Sequence, residues 1–151
     1  MDKKPLVVVK RSFTASATRV FDAWLDPDMI GGWMFDRALR NEEVLRIAMD
    51  PRVDGAFSFL VRCDGNEINY IGKYLEIDRP RRLVFTWATA PESTEPGIAS
   101  RVVVEIVSRK KRCDLTLVHE LPFHLADYAA RAQEAWTMEL NVLDRTLTPP
   151  A

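Results

Sequence analysis

The chain has 151 residues, with 21 Lys+Arg against 22 Asp+Glu, a formal net charge of −1, 47% hydrophobic and 28% charged residues. This is the composition of a globular chain long enough to bury its own core, and it excludes a disordered, fibrous or disulfide-stapled one. There is no basic field to gather phosphates and no stretch near the ~20 apolar residues of a membrane span, so nucleic acid and membrane-spanning roles are not expected.

The apolar run Leu6-Val7-Val8-Val9 is broken by Lys10-Arg11 with no small-residue cleavage site after it, and Cys63 and Cys113 sit in strand-like stretches as reduced thiols. A cytoplasmic protein is expected. Residues 6–13 are β-rich. Ser16 then supplies an N-cap, and Val20, Phe21, Trp24 and Leu25 recur at three- and four-residue spacing. This predicts a short amphipathic helix ended by Asp26-Pro27, followed by a second short helix or turn over 28–35 that carries Gly31-Gly32-Trp33.

From residue 43 to 120 the apolar period is two, and the predicted strands are 44–49, 56–62, 67–77, 82–88, 100–107 and 113–120. Asp64-Gly65 suits a tight hairpin, Asp78-Arg79-Pro80 a proline turn and Lys110-Lys111 a solvated one. Residues 90–99, with Pro91, Pro96 and Gly97, form the long loop, expected as a lid or mobile rim. After Pro122, residues Leu125, Tyr128, Ala132, Trp136, Leu140, Leu143 and Leu147 make one apolar stripe. They predict a helix of about six turns stopped by Pro149-Pro150. The order gives a single α+β domain over 1–151, with helices covering one face of a curved antiparallel sheet.

No standard catalytic motif is present: there is no dinucleotide or phosphate-binding glycine loop and no nucleophile elbow. His119 and His124 are five residues apart with Pro122 between them, which does not suit a zinc helix, so no metal is expected. His119 continues the alternation Cys113, Leu115, Leu117 and is expected as an inward, hydrogen-bonded histidine rather than a general acid or base. Glu42-Glu43 and Asp26/Asp28 are expected to be solvated, as are Asp22 and Glu139 at the edges of their helices. Trp33, Phe57, Phe59, Tyr70, Trp87 and Trp136 come from separate segments that a sheet closed by a helix would gather around one concave space.

The stretch 11–27, with Phe13, Val20-Phe21-Asp22-Ala23-Trp24 and Asp26-Pro27, followed by Trp33, resembles the opening of the SRPBCC (START-like) superfamily. The similarity is to the branch that includes the C-terminal domain of the heat-shock-protein ATPase activator. Asp50-Pro51-Arg52-Val53-Asp54-Gly55-Ala56-Phe57 resembles its D-x-R-x-G-G-x-F, and residues 72–87 its G-x-x-x-E-I-x-P-P-x-R-L-V-x-T-W. Residues 113–120 and Ala135-Trp136 resemble its T-x-L-T-L-x-H and G-W segments. Asp54, Arg79 and Ala135 depart from that pattern at two glycines and a proline.

The resemblance implies a helix-grip fold: a curved antiparallel sheet of six to seven strands around a long C-terminal helix, with an apolar cavity between them. It implies a small hydrophobic or amphipathic ligand, such as a lipid or polyketide, near Trp33, Phe59, Tyr70, Trp87, His119 and Trp136, with no cofactor. Two alternatives accompany it. One is a cyclase- or hydratase-like enzyme in which His119, Tyr70 or Glu139 moves a proton; the other is a stress- or chaperone-associated interaction module. The activator carries a further N-terminal domain, so a chaperone partner is not expected for this chain, whereas a homodimer stays open.

Overall fold

The computed structural model describes residues 4–35 and 42–148. Its elements are β1 (Leu6–Phe13), α1 (Ala17–Ala23), α2 (Pro27–Met34), β2 (Glu42–Met49), β3 (Ala56–Cys63), β4 (Asn66–Asp78), β5 (Arg82–Thr89), β6 (Ser100–Arg109), β7 (Arg112–Glu120), a 3-10 helix (Phe123–Tyr128) and α3 (Ala129–Leu147). The strands form one sheet in the order β1-β7-β6-β5-β4-β3-β2, and every neighbouring pair is antiparallel. With the short helices and α3 packed against it, this is the expected α+β helix-grip architecture.

The local signals at Ser16 and Asp64-Gly65 act as read, and the structure adds others. Ser16 Oγ accepts from Arg19 N at 3.2 Å and caps α1. Asp26 Oδ1 accepts from Asp28 N at 2.9 Å and caps α2, whose first turn holds Pro27. Asp64 and Gly65 both take positive φ, 51° and 82°, which matches the right-handed twist of the β3–β4 hairpin. Asp54, standing where the resembled motif has glycine, adopts φ 70°, so the turn before β3 keeps its left-handed residue without one. Gly72 is required by close approach: a Cβ there would overlap the Thr86 carbonyl oxygen and the Phe57 ring.

The C-terminal stripe begins differently from the sequence expectation. Pro122 is extended and offers no side-chain cap, Leu125 leaves helical geometry (φ −107°, ψ 15°), and the first turns are 3-10. The α-helix proper starts only at Ala129. Tyr128, placed on the stripe by spacing, is 43% exposed because this tighter winding turns it out of the phase that Ala132, Trp136, Leu140 and Leu143 keep. Pro149 and Pro150 lie outside the described residues; α3 is closed by extended Thr148.

Buried side chains from β1, both short helices, β3 to β7 and α3 form one cluster. Two long-range ion pairs tie helices to the sheet. Arg11 on β1 reaches Asp144 on α3 at 3.0 Å. Arg79, in the β4–β5 turn, donates to both oxygens of Asp22 on α1 at 2.7 and 2.6 Å. Asp22 is therefore half of a bidentate pair rather than a solitary solvated edge charge, and the Arg79 hydrogen bond holds its carboxyl below its usual pKa. Glu42 and Glu139 correct the expectation of solvated acids, being only 5% exposed each.

Candidate functional site

A cavity of about 400 Å³ opens between the ends of β4 to β7, the loop after β5 and the 3-10 helix. Ile68 and Tyr70 of β4, Trp87, Ala88 and Thr89 of β5, and Ser100, His119 and Leu121 make its inner wall. Glu92, Ser93 and Ile98 of the long loop face His124, Leu125 and Tyr128 across its mouth. A smaller pocket of about 30 Å³ shares Tyr70, Trp87, His119 and Tyr128 and adds Ala132, Ala135, Trp136 and Glu139 from α3. Trp87 also borders a third void of about 10 Å³, lined by Trp24, Phe57, Phe59 and Phe85 among others.

The long loop lines the cavity's mouth as a rim, and it is ordered and fastened at its base. Thr86, fully buried, donates through Oγ1 to the Thr94 carbonyl at 2.7 Å and accepts from Lys73 N at 3.0 Å. Ala99 N closes the loop's last turn on the Glu95 carbonyl at 3.0 Å.

The side wall is a stack of rings. Phe35, at the end of α2, lies parallel to Tyr70 with centroids 5.6 Å apart, and Tyr70 lies on Trp87 at 5.2 Å and 24°. Offset stacking of this kind adds about 0.5–1.5 kcal/mol per pair beyond the area buried. Tyr70 also donates its hydroxyl to Glu42 Oε2 at 3.2 Å, which fixes the ring's free end.

The back wall carries polar groups that satisfy one another. Trp136 Nε1, which can only donate, lies 3.0 Å from His119 Nδ1; His119 Nε2 lies 3.0 Å from Ser100 Oγ; and Ser100 Oγ donates to the Trp87 carbonyl at 2.6 Å. The indole N–H makes Nδ1 the acceptor, and with the only hydroxyl proton of Ser100 committed to Trp87, Nε2 must carry the imidazole proton. One tautomer of a neutral ring fits. Burial agrees with this, pushing the His119 pKa down to about 4. His119 is thus the inward, hydrogen-bonded residue that the strand alternation suggests, and both of its nitrogens are already committed.

The six candidate residues are not all in one place. Tyr70, Trp87 and His119 line the main cavity, Trp136 borders the adjoining pocket, and Phe59 borders the small void behind Trp87. Trp33 stands apart from these cavities: it is fully buried, donates to the Ala23 carbonyl at 3.1 Å and meets the Trp24 ring edge-on at 4.7 Å. Sequence reasoning missed Ser100, Tyr128 and the burial of Glu139. For Glu139 a signal exists, since it stands three residues after Trp136 and four before Leu143. Among the described residues no group of three or more His, Cys, Asp or Glu is arranged to hold a metal ion, and no helix is long and apolar enough to cross a membrane.

A seven-stranded antiparallel sheet gripping a C-terminal helix, with an aromatic-walled cavity at the sheet's open end, defines a helix-grip protein of the SRPBCC kind. A model of the family described as Activator of Hsp90 ATPase homolog 1-like protein matches residues 14–148, and the chain belongs to that family. The fold is similar to protein CV1439 from Chromobacterium violaceum, with TM-score 0.78 and 22% identity over 96% of this chain and 98% of that one. It is similar to CalU16 from Micromonospora echinospora, with TM-score 0.66 and 21% identity over 95% and 76%. The Aha1 dimer from Colwellia psychrerythraea aligns with TM-score 0.71 and 14% identity over 94% and 95%. No curated protein matches the sequence.

Proposed function

We propose that the chain acts as a single domain that binds a small hydrophobic or amphipathic molecule in the cavity walled by Trp87. One observation carries this reading: a space of about 400 Å³ whose inner wall is largely aromatic and aliphatic and whose buried His119 and Ser100 are already hydrogen-bonded, to each other, to Trp136 and to the Trp87 carbonyl. That volume is in the range of small-molecule sites, which are mostly apolar with a few polar groups setting orientation. A wall whose buried His119 and Ser100 are already paired favours an apolar body. Thr89, Ser93, His124 and Tyr128 offer polar contacts toward the mouth. The cyclase-like alternative is disfavoured at His119, because a base needs a free nitrogen and a pKa near the working pH, and this ring has neither.

Native mass spectrometry of the protein purified from its own host tests the reading. One apolar molecule retained per chain supports it. Repeatedly empty spectra, together with no thermal shift across a panel of fatty acids and aromatic polyketides, would overturn it in favour of an interaction module. Self-association is a second reading, favoured by the description of the Colwellia relative as a dimer; light scattering that returns a single-chain mass at high concentration would remove it.

A further inference from the structure

The four tryptophans differ in what their indole nitrogens do. Trp33 donates to the Ala23 carbonyl and Trp136 to His119. Trp24, at the end of α1, is 2% exposed, and its Nε1 finds no hydrogen-bond partner among the described residues. A buried N–H without a partner forfeits the hydrogen bond it made to water in the unfolded chain, so such a group calls for an occupant.

Trp24 borders the void of about 10 Å³, where it meets Ile30, Met34, Phe57, Phe59 and Phe85. That space is at the lower limit for one water, and of the polar side-chain groups in its lining, the indole N–H of Trp24 and of Trp87 and the Tyr74 hydroxyl, only the hydroxyl can accept a proton from it. Trp87, only half-buried, is a wall of both this void and the 400 Å³ cavity, so a single ring stands between them. No charged side chain lines the void, which excludes a carboxylate or phosphate there. A hydroxyl or amine would bring a proton of its own, for which the lining has one side-chain acceptor, the Tyr74 hydroxyl, whereas a bare acceptor oxygen asks nothing beyond the indole donors.

We propose that the Trp24 indole N–H is the buried anchor for one neutral, acceptor-only oxygen, that of a ketone, ester or ether, carried at the inner end of the molecule bound in the Trp87-walled cavity. The inference rests on the ligand-binding reading above and specifies the chemistry of the ligand's buried end. The bound molecule then has a direction: its acceptor oxygen lies inward against Trp24, its apolar body along Trp87 and Tyr70, and any further polar group toward Ser93 and Tyr128.

The test compares acetonaphthone with its hydrocarbon isostere isopropylnaphthalene, by calorimetric titration and by proton–nitrogen spectra of the indole groups. Both are expected to bind, with the ketone roughly fivefold tighter, the worth of one modest hydrogen bond. The ketone alone should move the Trp24 N–H signal downfield, while those of Trp33 and Trp136 stay in place. Trp24→Phe should erase the preference without abolishing binding. Should that variant fail to fold, the wild-type spectra decide the matter. Equal affinities with an unmoved Trp24 signal would overturn the anchor and leave the cavity reading standing; binding of neither compound would overturn both.

Discussion

Trp136 on α3 donates its indole N–H to Nδ1 of His119 on β7 at 3.0 Å, so the terminal helix and the sheet it covers are joined by a buried hydrogen bond whose direction is fixed. Trp136→Phe keeps the ring and leaves Nδ1 without a donor. The expected cost is about 1–3 kcal/mol, read as a lower urea midpoint with an unchanged slope.

The same ring sets a pH dependence. Folding lowers the His119 pKa from 6.5 to about 4, so between those values the unfolded chain binds a proton that the folded chain refuses. Stability from this residue is complete above pH 6.5 and declines as the pH falls toward 4, by about 3 kcal/mol in all. Urea midpoints across that window should fall with acid in the wild type and stay flatter in His119→Gln. Equal slopes in the two proteins would contradict the neutral-histidine assignment.

Trp87→Ala removes the wall shared by all three cavities and should weaken binding of the apolar dye N-phenyl-naphthylamine at least about tenfold, given the area of an indole. Trp33→Phe should leave dye affinity within about twofold, since Trp33 borders none of them. Fluorescence titration distinguishes the two variants.

At Gly72 there is no room for a methyl group between the Thr86 carbonyl and the Phe57 ring. Gly72→Ala is expected to cost about 3 kcal/mol or more because backbone, not a flexible chain end, must yield. A fall in melting temperature checks it.

The two thiols should separate kinetically. Cys113 is fully buried, and burial raises its pKa, whereas Cys63 is half-buried at the end of β3. An aromatic disulfide reagent should titrate one thiol in the folded protein and the second only in denaturant.

What the sequence made legible was local. Ser16 announces its helix because capping needs only neighbours within three residues, whereas Asp26, read as the end of the first helix, also caps the second. Asp64-Gly65 announces its hairpin because φ signs are a property of residue type. The inward phase of Cys113, Leu115, Leu117 and His119 followed from alternation alone. The site was legible only in its residue types. His119 meets Ser100 and Trp136 from strands and a helix 19 and 17 residues away, and no spacing rule encodes that meeting. Glu42 and Glu139 were placed in solvent because charge is the better guide when neighbours are unknown; the fold buries both beside aromatic rings. Tyr128 was assigned to the helix stripe because a stripe does not reveal where 3-10 winding gives way to α.

The pairing of β1 has a consequence for how the protein is made. Its ladder partner is β7, with Leu6 opposite Glu120 and Phe13 opposite Cys113. β1 therefore leaves the ribosome long before the strand it pairs with, and Leu6 and Val8, exposed even in the finished fold, travel meanwhile as an open apolar edge. Closure comes late and over the longest sequence separation in the sheet, the arrangement that slows folding most.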